Sequence, residues 1–272
     1  MSVADSFLPG TDSWIYPDWP APASVRACVT TRHGPGVSAP PFDRLNLGLR
    51  SGDATDTVKA NREGLQQALA LPSSPRWLHQ VHGIAVAELG PLPSDHEPQA
   101  DAAVSHLPGA VLAILTADCL PVLFCAADGS EIAAAHAGWR GLASGVLEET
   151  LTQLLAPRKD LLAWIGPCIG AASYEVGGEV RATFLKRHAN ASQYFVSTRP
   201  GHWLCDLAGL ACLFLRASGV QNICGSGFDT FTDTRFYSYR REGAASGRFA
   251  SLIWLEPQHG SPVQNNMAQN NR

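Results

Sequence analysis

The sequence predicts a layered domain of the α/β (α+β) class whose sheet is not purely parallel. Short apolar runs of strand length alternate along the chain with longer amphipathic runs of helix length. Two pairs of apolar runs, within residues 76–89 and 111–126, lie close enough to read as hairpins, which a purely parallel sheet excludes. Of the 272 residues, 45% are hydrophobic and 16% charged, against about a quarter charged in an ordinary soluble domain. That composition supplies a large core and excludes disorder as the main state.

In chain order, strands are expected at 25–31, 76–80, 84–89, 111–115, 121–126, 132–135, 161–165 and 251–255. Amphipathic runs predict helices at 56–70, 142–155, 178–187 and 207–217; the last has Asp206 as a natural N-cap and Gly219 just past its end. The longest apolar stretch, 110–127, is broken by Asp118 and Pro121, so it reads as buried core and not as a membrane span. Proline- and serine-rich stretches at 72–75 and 91–98 are too short to divide the chain. One domain is therefore expected over 25–257, after an N-terminal extension at 1–24. The tail at 258–272, rich in Gln and Asn, is expected to be disordered.

The net charge of −4 arises from 24 acidic and 20 basic residues, too balanced for a face that neutralises nucleic-acid phosphates. A local electropositive pocket is compatible with that balance. The seven cysteines spread over positions 28 to 224 lack the dense spacing of a secreted scaffold and read as reduced thiols in a cytoplasm. Residues 1–11 carry one acid, Asp5, no Lys or Arg and no apolar run, so no signal peptide is expected.

Reactive residues stand where folding alone would not put them. In Trp77-Leu78-His79-Gln80-Val81-His82-Gly83, a strand runs into a glycine turn that favours His82 over His79 as a ligand. Thr116-Ala117-Asp118-Cys119-Leu120-Pro121 sets polar residues between two apolar strands, and Cys119 is either a small core side chain or a ligand. His136-Ala137-Gly138-Trp139-Arg140-Gly141 follows a run of alanines and opens a helix, as a plain cap or as an anion cradle. Two imidazoles and a thiolate from His82, Cys119 and His136 would suit zinc with an open fourth position; the alternative is three separately satisfied core residues. Near the C-terminus, Arg235, Arg240, Arg241 and Arg248 interleave with aromatics, either as a grip on base and phosphate or as a solvated hairpin. Cys168 in Gly166-Pro167-Cys168-Ile169-Gly170 reads as a buried thiol in a tight turn.

Read in order, Thr30-Thr31-Arg32-His33-Gly34, Val37-Ser38, Leu45-Asn46-Leu47-Gly48, Gly52-Asp53, Asn61-Arg62, Gln80-Val81-His82-Gly83 and Ala100-Asp101-Ala102 join the segments at 116–121, 136–141, 165–170, 174–176 and 237–241. This ordered combination resembles the laccase-domain, multicopper polyphenol oxidase-like family, whose members are understood as purine nucleoside phosphorylases with adenosine deaminase activity. The resemblance spans residues 25–255. It implies a single-domain sandwich of mixed β-sheets flanked by helices, similar to the catalytic domain of cytotoxic necrotizing factors. It also implies zinc held by His82, Cys119 and His136. Ser246 and the stretch at 171–173 depart from the usual pattern without touching that trio.

The expected activity is zinc-dependent phosphorolysis of adenosine, inosine and S-methyl-5′-thioadenosine, with deamination of adenosine. Asp118 is assigned to proton transfer or to orienting a ligand histidine, and Arg32, Asn46, Arg140 and Arg240 to substrate or phosphate. The partners are then purine nucleosides and phosphate, with no nucleic acid and no membrane, for a monomer or small homo-oligomer. A multicopper oxidase needs many histidines, usually in His-x-His pairs, and none occurs here. Any laccase activity is thus expected to be adventitious, from Cu2+ in a zinc site. Two readings compete: Cys119 as nucleophile with His136 as base in an amide or peptide hydrolase, linked in some relatives to peptidoglycan-precursor editing, and a non-catalytic zinc or nucleoside binding module.

Overall fold

The computed structural model describes residues 13–92 and 96–257. Its elements run β1 (Trp14–Ile15), β2 (Val25–Thr30), α1 (Thr55–Ala68), β3 (Val86–Glu88), β4 (Ala102–Ser105), β5 (Val111–Thr116), β6 (Leu120–Ala126), β7 (Ile132–Ala137), α2 (Trp139–Ser144), α3 (Val146–Thr152), β8 (Leu161–Ile165), β9 (Glu175–Gly177), α4 (Gly178–Arg187), β10 (Phe195–Arg199), β11 (His202–Cys205), α5 (Leu207–Ala217), β12 (Asn222–Gly225), α6 (Tyr239–Glu242) and β13 (Phe249–Leu255). The strands form an antiparallel sheet in the order β1-β2-β13-β5, a mixed sheet in the order β12-β8-β6-β7-β4-β3 and a small sheet β10-β11-β9. Within the mixed sheet, β12 with β8 and β3 with β4 are parallel and the remaining pairs antiparallel.

Side-chain alternation shows how the layers stack. On β6, Leu120, Val122 and Phe124 join a core built with α2 to α5, whereas Leu123 and Cys125 face a second core. That second core takes Leu112 and Ile114 of β5 and Phe249 and Ile253 of β13, so it lies between the two larger sheets. The opposite face of the antiparallel sheet, with Ala113, Leu252 and Trp254, packs on Leu65 of α1. Successive residues point to opposite faces, and here both faces are covered; hence β6, β7 and β13 read as continuous apolar runs. The outcome is the expected sandwich of sheets flanked by helices.

The two expected hairpins do not form. β5 pairs with β13 and β6 with β7 and β8, because the chain passes from one sheet to the other through Ala117-Asp118-Cys119. Residues 76–80 make a single bridge, Arg76 to Leu112, and β3 pairs instead with β4. The mixed character comes from β12 and β3. The expected helix at 142–155 begins earlier, at Trp139, and divides at Gly145, whose φ of 106° only glycine takes without strain. α5 and its Asp206 cap, which accepts from the Gly209 N–H at 2.8 Å, stand where expected. β1, ahead of the expected boundary at Val25, pairs with β2. The tail at 258–272 lies outside the described residues. Among the described residues no helix is long and apolar enough to cross a membrane.

Candidate metal centre and substrate cavity

The crossing between sheets creates the site. Cys119 immediately precedes β6, and His136 lies near the end of the neighbouring β7, opposite Pro121. His82 arrives from the turn after residues 76–80. His82 (φ 60°) and Asp118 (φ 87°) both take left-handed backbone conformations, sparsely populated for residues with a side chain. These turns converge three chain segments that are distant in sequence. One ligand atom from each of His82, Cys119 and His136 lies within 4.8 Å of the others. Cys119 Sγ stands 3.7 Å from His82 Nε2, and the imidazole rings meet edge to face with centroids 4.8 Å apart.

Close approach at this point depends on Gly138. A Cβ there would lie 2.8 Å from His82 Cδ2 and 3.0 Å from Cys119 Sγ, so any side chain would push the donors apart.

A buried carboxylate stands behind the trio. Asp101 Oδ1 accepts the His82 N–H at 2.9 Å and lies 2.8 Å from His136 Nδ1; Oδ2 accepts the N–H groups of Val81 at 3.1 Å and Gly83 at 2.7 Å. Burial would raise this carboxyl, but the His136 contact and the two N–H groups outweigh it and hold it below the usual range. An ionised carboxylate only accepts, so His136 carries its proton on Nδ1 and turns Nε2 outward. Burial likewise opposes ionisation of Cys119, yet the facing imidazoles of His136 and His82 bring its thiol down to about 6. Burial pulls His136 down, but Cys119 and Asp101 together leave it raised.

Two nitrogens and one readily ionised sulfur, partly open to solvent, are a donor set suited to zinc with a free fourth position. Among the described residues this is the single group of three or more such side chains placed to share one ion. The trinuclear centre of a multicopper oxidase has no counterpart there.

The trio opens into a cavity of about 480 Å3, within the usual range for small-molecule sites. Its walls carry Arg50, Arg140, Arg240 and Arg248 beside Trp139, Tyr174 and Tyr239. The exposed Arg140 guanidinium stacks on Trp139 at 4.5 Å, and Arg240 lies 5.3 Å from the Tyr174 ring and donates to the Glu175 carbonyl at 3.1 Å. Arg50 is paired with Glu97 at 2.7 Å.

The expected substrate residues do not all reach the cavity. Arg32 does not line the cavity: its guanidinium pairs with Glu242, donates to the Asp43 carbonyl and stacks on Tyr237. Asn46 is buried and joins loops, accepting from the N–H groups of Gly48 and Arg248 and donating to Ser51 and Asp53. Asp118 lines the cavity but orients no histidine; its oxygens accept from Thr230 Oγ1 at 2.7 Å and the Arg240 N–H at 2.6 Å. Asp101 makes the contact to His136 instead. Of the C-terminal arginines, Arg240 and Arg248 reach the cavity, whereas Arg235 pairs with Asp233 and Arg241 donates to the carbonyls of Thr230, Phe231 and Phe236. The helix after Gly138 has six residues and a plain cap. Cys168 is buried and its thiol pushed up, so it is inert packing. Arg50 carries no sequence signal for the cavity beyond its residue type, whereas Tyr174 and Tyr239 stand in two of the ordered motifs without a role that the sequence assigns them.

Fold and site together define a class: an α+β sandwich whose strand ends bring a two-histidine, one-cysteine donor set to the wall of a small-molecule cavity. The chain belongs to the multi-copper polyphenol oxidoreductase laccase family, whose model matches residues 26–256. It is 53% identical over 247 residues to a purine nucleoside phosphorylase of Pseudomonas aeruginosa, covering 90% of this chain and 99% of the relative. It is 50% identical over 242 residues to the purine nucleoside phosphorylase YfiH of Escherichia coli, covering 89% and 98%. Among solved structures, a Neisseria meningitidis protein of the DUF152 family superposes with a TM-score of 0.85 at 42% identity, covering 90% of this chain and all of that one. YlmD of Geobacillus stearothermophilus gives 0.84 at 30% identity, covering 92% and 99%.

Proposed function

We propose that this chain is a zinc-dependent purine nucleoside phosphorylase that also deaminates adenosine, acting at His82, Cys119 and His136. The observation that carries the reading is the meeting of these three donors in a cavity walled by arginines and aromatic rings. The names of its relatives point the same way.

In phosphorolysis the C1′–N9 bond breaks with its electron pair going to the purine, a phosphate oxygen bonds to C1′, and the phosphate proton ends on the base. The products are free base and ribose 1-phosphate. Deamination exchanges the C6 amino group of adenine for the oxygen of water and releases ammonia. His82, Cys119 and His136 would hold the zinc, which would supply Lewis acidity to the site.

The chain's own groups do the rest. Arg140, exposed and with no ion pair among the described residues, takes the phosphate, with Arg240 and Arg248 beside it. Trp139, Tyr174 and Tyr239 offer faces for the purine. Asp118 fixes the segment carrying Arg240 by accepting its N–H. Copper oxidation of phenols, where seen, follows from Cu2+ displacing zinc on the same donors. The work fits a cytoplasmic enzyme whose partners are nucleosides and phosphate.

The test is chromatography of adenosine, inosine and methylthioadenosine incubated with and without phosphate, alongside metal analysis of the same preparation. Phosphate-dependent release of base, at one zinc per chain and lost in Cys119→Ala, is the expected result. Conversion unchanged in His82→Ala or Cys119→Ala would sink the assignment.

A second reading draws on the line Cys119, His136, Asp101, which resembles a thiol nucleophile, its base and the group that orients the base. Stoichiometric alkylation of Cys119 in metal-free protein that hydrolyses an amide would favour it; tight zinc at one per chain argues against it.

A further inference from the structure

We infer that Asp101 is the positioning residue that builds the metal centre from both sides, fixing the imidazole of His136 and the backbone of the turn that carries His82. The inference rests on the reading that the trio holds zinc.

Each ligand histidine depends on this carboxylate by a separate route. His136 is tied to Asp101 twice: through Nδ1 at 2.8 Å, and through its own N–H, which donates to the Asp101 carbonyl at 2.7 Å. That double tie orients the ring and turns Nε2 to the site. His82 has an exposed side chain on a left-handed turn, and its ring touches His136 and Cys119 of the trio, so the turn itself needs a separate anchor. Restraint comes from three consecutive N–H groups, of Val81, His82 and Gly83, all donating to the same carboxylate. Asp101 is fully buried, and both oxygens are filled by these bonds. Oδ1 alone joins the two ligands, accepting from the backbone of one and the ring of the other.

The charge fits as well. One carboxylate and one thiolate balance a divalent cation in a site where unbalanced charge is costly. Outer partners of ligating histidines set both ring orientation and basicity, and their loss commonly lowers metal affinity about 10- to 100-fold. Asp118, though adjacent to Cys119 in sequence, cannot substitute, because its oxygens face Thr230 and Arg240.

The experiment compares metal-free full-length wild type with Asp101→Asn, reading zinc affinity by competition with a chromophoric chelator. Asparagine keeps the volume but removes the charge, and its amide NH2 would face N–H groups that now find an acceptor. Zinc binding about 10- to 100-fold weaker, with one zinc per chain still reached at saturation, is the expected result. An affinity within about twofold of wild type, for a variant with native circular dichroism, overturns the inference. Should the variant fail to fold, long-range 1H–15N spectra of zinc-loaded wild type decide: His136 protonated at Nδ1 supports the assignment, and protonation at Nε2 overturns it. Wild type that takes up no zinc overturns the metal reading and this inference together; an unaffected variant beside a zinc-binding wild type overturns this inference alone.

Discussion

Arg32 and Arg140 carry the same charge, and their motifs suggest the same anion, but their surroundings separate them. The Arg32 side chain is 14% exposed and faces Glu242 at 18%. Glu242 keeps a second partner, Arg241 at 2.9 Å, so its charge stays compensated when Arg32 is removed. Arg32→Ala then loses one charge-assisted contact and should cost about 2 kcal/mol of stability in denaturant titrations. Its KM for phosphate should stay unchanged. Arg140→Ala touches only the stack on Trp139, so phosphate KM should rise about tenfold, the loss of roughly one charge-assisted contact, with an unchanged melting temperature. Gly138→Ala places a methyl between His82 and Cys119 and should reduce zinc content while leaving the fold intact by circular dichroism. In metal-free protein, Cys119 ionises with a folded pKa near 6, so its alkylation rate should rise through about pH 6 and level off above. The sign follows from the depressed value: the thiolate contact stabilises the fold at high pH, and that contribution fades as pH falls through about 6. A midpoint near the ordinary thiol value would refute the pairing with His136.

Among the elements, strand and helix cores are legible in the sequence where apolar period and caps agree, as in α5 with Asp206 and in β8. Pairing is less legible. The runs at 111–115 and 121–126 are close in sequence and equally apolar, so nothing local distinguishes a hairpin from strands parting into two sheets. The deciding feature is Asp118 at φ 87°, a conformation the residue type only permits. Similarly, the pattern after His136 reads as one helix, but Gly145 in the left-handed region divides α2 from α3 and sets Arg187 against the joint. Gly145→Ala should therefore cost about 1–2 kcal/mol. Differential scanning calorimetry should show a melting temperature lower by several degrees at about 2–4 °C per kcal/mol. Activity should persist, since Gly145 does not line the cavity.

At the scale of the whole molecule, scarce charge and abundant apolar residues build cores on both sides of the central mixed sheet. Four of its arginines are gathered at a single cavity. The meeting of His82, Cys119 and His136 is legible because Cys and His beside apolar strands are chemically conspicuous, and because the ordered motifs carry a family resemblance. Asp101 stands in one of those motifs, yet its role is hidden in the sequence, since its partners are mostly backbone N–H groups that any residue supplies. The surroundings of Arg32 and Asn46 are hidden for a related reason: residue type suggests an anion or a substrate hydroxyl, and only the fold shows that Glu242, Asp43, Ser51 and Asp53 engage these side chains.

The most direct test of the central claim is 31P NMR of inosine and inorganic phosphate incubated with zinc-loaded protein. The account predicts a ribose 1-phosphate signal growing in step with free hypoxanthine for wild type and absent for Cys119→Ala. Hypoxanthine without that signal, or the same signal from Cys119→Ala, would contradict it.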